Sequence, residues 1–178
     1  MRLLFLFSIT FAVFSCSSLQ PQYNITKGCV HSVCIGANKL ELLETYEGRI
    51  FDDVVIREGD KYPSLKLVFS NSAFIILELE NDIVWAIRIN DTFFTTSKGI
   101  SVGNNFSDVK KAYPNATLNF GENDGGYISL FVTSLNGFFS FDVEDIFTSS
   151  SGIPANVDTA EKRFSTLKVN VILLNDLY

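Results

Sequence analysis

From Ile50 onward the large apolar residues fall into short runs separated by polar turns. Residues 50–57, 65–69, 73–79 and 83–89 read as β-strands, and 117–120, 127–133, 138–143 and 166–174 read as a second set. Asn71-Ser72 and Asn136-Gly137 lie between adjacent runs, and Asn-Gly is a strong hairpin signal. A different pattern precedes each set of strands. A short extended segment ends at Gly36 or Gly103, Asn38 or Asn105 offers a side-chain oxygen as a helix cap, and a short helix follows. In the second helix Phe106, Val109 and Tyr113 fall at i, i+3 and i+7, on one helical face, and Pro114 stops it. Consecutive large residues such as Phe74-Ile75-Ile76-Leu77 point to strands covered on both faces.

The two sets match each other in sequence. Residues 34–46 align without a gap on residues 101–113: Gly36 meets Gly103, Asn38 meets Asn105 and Tyr46 meets Tyr113. Farther along, Tyr62, Ser64, Leu65, Asn71 and Phe74 fall against Tyr127, Ser129, Leu130, Asn136 and Phe139. Finally, Ile87-Arg88-Ile89-Asn90-Asp91 resembles Ile172-Leu173-Leu174-Asn175-Asp176, once an insertion within residues 145–165 is allowed. Three matches in the same order indicate an internal duplication. The expected fold is α+β, with two tandem repeats over about 33–91 and 100–176. Each is a short helix followed by an antiparallel β-meander, and the two pack as a single domain over 33–178.

The stretch Gly99-Ile100-Ser101-Val102-Gly103, followed by Phe106, Val109, Ala112 and Tyr113-Pro114, resembles a pattern in small secreted bacterial proteins and lipoproteins. The repeat is similar in style to the β-lactamase-inhibitor-protein fold and to small outer-membrane assembly lipoproteins. The resemblance implies that a sheet surface or its loops bind another protein, and it implies no catalytic set. This chain departs from single-repeat members by its duplication, and from the inhibitors by lacking a matching contact loop.

The first residues add an address. Arg2 precedes the apolar run Leu3 to Val13, the layout of a secretory signal over 1–15, too short to span a bilayer comfortably. Val13-Phe14-Ser15-Cys16 resembles the bacterial lipobox, which implies that Cys16 receives lipid and that 16–32 forms a lipidated N-terminus and tether. The alternative is a secreted or periplasmic soluble protein cut near the same serines. Assigning Cys16 to lipid leaves Cys29 and Cys34 as an even pair, for which a disulfide is permitted in an oxidising compartment. Its small loop would add roughly 2 kcal/mol. Ser17 after Cys16 lacks the aspartate associated with inner-membrane retention, which favours the outer membrane, facing the periplasm. The formal net charge is −6, and losing Arg2 with the signal makes the mature chain −7. Such a body is a poor polyanion binder, arguing against nucleic acid, and favours basic protein partners.

Residues with chemical potential are sparse. His31, the only histidine, lies between Cys29 and Cys34 at a spacing that fits no standard zinc pattern, so a disulfide-closed loop with a solvated histidine is expected. Glu78 and Glu80 alternate on one strand face and read as solvated surface. Trp85, Tyr62 and Tyr127 read as core. No nucleophile with a base and no metal set is found, so no catalytic residue and no cofactor is expected. The insertion, with Ser149, Ser150, Ser151, Gly152, Ile153 and Pro154, is the candidate partner-binding loop. The sequence therefore reads as a non-enzymatic, protein-binding envelope lipoprotein in envelope maintenance or assembly. The alternative is an inhibitor or immunity protein against a basic hydrolase such as a lysozyme.

Overall fold

A computed structural model describes residues 23–57, 59–70, 72–120, 127–142 and 162–175. The chain is mostly β-sheet with few helices. Strands β1 (Tyr23–Thr26), β2 (Cys29–Val30) and β3 (Val33–Cys34) lead to helix α1 (Lys39–Thr45). Then come β4 (Ile50–Arg57), β5 (Asp60–Val68), β6 (Phe74–Glu80) and β7 (Ile83–Ile89). After β8 (Phe94–Thr96), α2 (Phe106–Ala112) is followed by β9 (Thr117–Phe120), β10 (Tyr127–Val132), β11 (Gly137–Asp142) and β12 (Val169–Asn175).

Eight of these strands form one sheet in the order β4-β5-β6-β7-β12-β11-β10-β9. Each run of four is an antiparallel meander, and the runs meet where β7 pairs with β12. A smaller sheet, β3-β2-β1-β8, holds β1 parallel to β8. Of residues 16–32, expected as a tether, Tyr23–Thr26 is a strand and Ile25 and Val30 are buried in the core, while residues 16–22 lie outside the described residues.

Alternation along the strands sends one set of side chains inward. Leu65, Leu67, Ile75, Leu77, Ile87, Ile89, Leu130, Phe139, Phe141, Ile172 and Leu174 are buried, joined by Leu42 from α1 and Phe106 and Val109 from α2. Helices α1 and α2 have seven residues each, too few to be stable alone, so packing and caps hold them in place. The Asn38 Oδ1 accepts from the Leu40 N–H at 2.8 Å. In α2 the Asp108 carboxylate accepts from the Asn105 N–H at 3.1 Å, half of a capping box. Among the described residues no helix is long and apolar enough to cross a membrane.

The backbone bonds that tie each helix entrance to the last strand of its meander are alike. The Gly36 N–H donates to Val84 O, the Val84 N–H to Ala37 O and the Lys39 N–H to Asp82 O. In the second half Gly103 donates to Val169 O, Val169 to Asn104 O and Phe106 to Leu167 O. Isolated bridges join Asn38 to Ile83 and Asn105 to Lys168.

Three local expectations need adjustment. Strand β5 begins at Asp60, ahead of the expected Leu65, because the β4–β5 hairpin extends beyond β6; Pro63, with no N–H to give, is paired only with Val54. Phe139 pairs with Leu130 as Leu77 pairs with Leu65, whereas Phe74 sits beside the turn opposite Val68, so Phe74 and Phe139 are not equivalent. The second turn comprises residues 133–136 with Asn136 at φ +53°, and Gly137 already belongs to β11. A Cβ at Gly137 would lie 2.6 Å from Leu174 Cδ2 and 2.8 Å from the Leu173 carbonyl oxygen. The backbone cannot yield there cheaply, so Gly137→Ala is expected to cost about 1–3 kcal/mol, measurable as a lowered thermal midpoint.

Candidate functional site

The sheet has a second face, opposite the one packed on the helices. Register places Phe51, Lys66, Ile76, Arg88, Leu173, Phe138, Phe131 and Thr117 in one row across all eight strands, on the face away from the buried set. Phe51 and Thr117 at the ends are exposed, and the six between them are half-buried. The Phe131 and Phe138 rings lie 4.9 Å apart, and the Lys66 ammonium sits 4.1 Å from the Phe74 ring centre. The sequence expectation of cover on both faces is therefore met on the inner face only, among the described residues.

Next to this row, on the same face, lies a charged cluster. Ser64, Glu78 and Ala86 face one another across β5, β6 and β7. Glu78 is fully buried, contrary to the solvated surface its alternation with Glu80 suggested. Its Oε1 accepts from Arg88 Nε at 3.0 Å and pairs with Arg88 Nη2 at 2.9 Å, while Oε2 contacts Arg57 Nη2. A buried carboxylate is retained only with such partners. Burial pushes the pKa of both guanidinium groups down, and the charge of Arg88 pushes Arg57 further, so the two cations repel each other across their shared anion.

A β-bulge completes the cluster. Glu78 pairs with Ala86 and Leu79 with Val84, leaving Trp85 as the extra residue on β7. The Arg57 guanidinium carbon then lies 4.7 Å from the Trp85 ring centre and 5.3 Å from that of Tyr62, close enough for cation–π attraction to both. Trp85 is half-buried and Tyr62 is 42% exposed, so neither belongs to the core assigned to them from sequence. For Tyr127 the side chain lies outside the described residues.

The remaining candidates are dispersed. Cys29 and Cys34 form a disulfide that closes the β2–β3 hairpin. His31, in the left-handed region at φ +54°, is exposed at the turn, with its ring 5.7 Å from that of Tyr23. Cys16 and the loop residues Ser149 to Pro154 lie outside the described residues. A cavity of about 360 Å³ beside the end of α2 is lined by Lys98, Tyr113 and Pro114 among others; the Lys98 ammonium donates there to Ala112 O at 2.7 Å. Sequence reasoning missed Arg57, Glu78 and Arg88 because they meet only through strand register. The available signal was a set of charges inside strongly apolar strands.

No family model and no curated protein sequence matches the chain. Among solved structures it is similar to the uncharacterized protein yfeY from Escherichia coli, with a TM-score of 0.51 at 13% identity, over 87% of this chain and 99% of that one, a likeness of fold alone.

Proposed function

We propose that this chain is an exported envelope lipoprotein, anchored through Cys16 in the outer membrane facing the periplasm. Its body, two copies of one helix-and-meander unit, binds another envelope protein through the open face of the large sheet and catalyses no reaction. The observation that carries this reading is the row from Phe51 to Thr117, in which the six side chains between the exposed ends remain half-buried across β5, β6, β7, β12, β11 and β10. Leu173, Phe138 and Phe131 are neighbours in this row with Arg88 beside them, a mix of apolar, aromatic and arginine side chains of the kind found at protein interfaces.

The duplication is supported by the correspondence of the helix-entry bonds. Sequence alignment equates residues 36–39 with 103–106 and Ile87 with Ile172, and the bonded partners follow that alignment. Arg88 and Leu173, equivalent in the alignment, face each other across the β7–β12 junction, as a local two-fold relation between the units requires. The anchor is supported by the Leu3 to Val13 run and by Val13-Phe14-Ser15-Cys16.

Two experiments separate these parts. In cell fractionation, Cys16→Ala is expected to move the protein from the membrane pellet to the soluble fraction; an unchanged distribution contradicts the anchor. In affinity recovery from solubilised envelopes, Leu173→Glu is expected to abolish the co-purifying partner while leaving the thermal midpoint within a few degrees. Equal recovery by the variant contradicts the face.

A further inference from the structure

The two halves of the sheet provide an internal control for the charged cluster. Row for row, Ser129, Ser140 and Val171 occupy in the second half the places of Ser64, Glu78 and Ala86 in the first. The bulge is also repeated: Ser140 pairs with Val171 and Phe141 with Val169, so Asn170 is the extra residue where the first half has Trp85. Leu173 stands where the first half has Arg88. The same bulged strands are thus built with serine, asparagine and leucine, and the fold does not require a glutamate, a tryptophan and an arginine at those places.

The first half carries them together with Arg57, and the charges do not balance. Among the described residues within ion-pair distance, two guanidinium groups share one carboxylate, which leaves one positive charge at this place on a chain whose net charge is −6. Among the described residues Glu78 is the only carboxylate within ion-pair distance of either arginine. Both arginine side chains keep about a third of their surface in water, at 33% and 28%. Three contacts to Glu78 leave most of the ten guanidinium N–H donors over. The Tyr62 and Trp85 rings both lie against the Arg57 guanidinium, at 5.3 and 4.7 Å from its central carbon. The Ser64 hydroxyl, buried opposite Glu78, has no hydrogen-bond partner among the described residues.

We infer that Arg57, Arg88, Trp85 and Tyr62 form a carboxylate-binding site on the open sheet face. One excess positive charge suits a monoanion. A planar carboxylate matches the guanidinium fork, and the aromatic rings accept the apolar atoms that carry it. This deepens the reading of the face as a recognition surface and rests on it: the site would hold an acidic side chain or a chain terminus of the bound protein.

Trp85 is the only tryptophan of the chain, so its fluorescence reports on the site directly. Purified protein is titrated at constant ionic strength with N-acetylglycine, which mimics a chain terminus, and with N-acetylglutamate α-amide, which mimics an acidic side chain. At least one is expected to change Trp85 emission saturably, with a dissociation constant on the order of millimolar. The better of the two identifies the carboxylate source. Arg57→Gln leaves Glu78 Oε1 paired with Arg88 and is expected to weaken that response about tenfold, read well below the variant's own thermal midpoint so that the site is compared in folded protein; Arg57→Lys restores part of it. No saturable response in the unaltered protein, an equal response to chloride, or an unchanged response in Arg57→Gln overturns the site. A silent titration with normal partner recovery removes the site and leaves the face standing; a normal titration with no partner recovered does the reverse.

Discussion

Replacing Glu78 by serine is expected to lower the unfolding free energy by about 2–3 kcal/mol, and adding Arg88→Leu to the same chain is expected to return most of that loss. The single change removes a fully buried carboxylate and leaves Arg57 and Arg88 facing each other without an anion. Breaking a buried ion pair typically costs about 3–5 kcal/mol, and partial exposure of both arginines puts this case at or below the low end. The double variant reproduces the second half, where Ser140 and Leu173 occupy the corresponding places. Arg57 can then turn towards water. For a chain of this size, about 2–3 kcal/mol moves the thermal midpoint by roughly 4–12 °C. A double-mutant cycle by urea denaturation measures the coupling, and strict additivity of the two changes would count against the shared-anion account.

The second large effect is expected at Phe106, which opens α2 and is fully buried. Its ring centre lies 5.1 Å from that of Phe141 on β11 and 6.4 Å from that of Phe164. Phe106→Ala is expected to cost about 3–5 kcal/mol, through lost burial and a cavity the neighbours cannot fill. A seven-residue helix has little stability of its own, so amide exchange in α2 should accelerate beyond what the global loss alone accounts for. In the sequence alignment Phe106 falls against Lys39, which is half-buried and pairs with Asp52 at 3.4 Å. The aromatic cluster of Phe106, Phe141 and Phe164 is therefore particular to the second half.

Much of the architecture was legible along the chain because local signals agree with the fold. The apolar runs locate the strands of both meanders, Asn38 caps α1 as its position before Leu40 and Leu42 suggests, and the cysteine pair closes its small loop. What remained hidden depends on contacts between distant residues. Nothing in a meander says which of its edges meets the next, so the β7–β12 junction could not be read off the chain. The parallel pairing of Tyr23 with Phe94 is a similar case. Phe164 sits at the end of the insertion, in a polar context, and is nevertheless buried against Phe106.

The candidate site was the least legible part. Alternation placed Glu78 and Glu80 on one strand face, which was right about direction and wrong about environment. Glu80 lies beyond the bulge at the exposed end of β6, whereas Glu78 lies between arginines contributed by β4 and β7. The bulge takes Trp85 out of simple alternation and brings it against Arg57, and no periodicity in the sequence announces that shift.

Site-specific photo-cross-linking in intact cells tests the open face most directly, with the cross-linker placed at Phe131, at Leu173 or, on the opposite side, at the exposed Lys111 of α2. The expected result is a discrete adduct with one envelope protein from Phe131 and Leu173, lost in Leu173→Glu when probed from Phe131, and none from Lys111. Equal adducts from all three positions, or none from the two on the face, would contradict a binding role for that face.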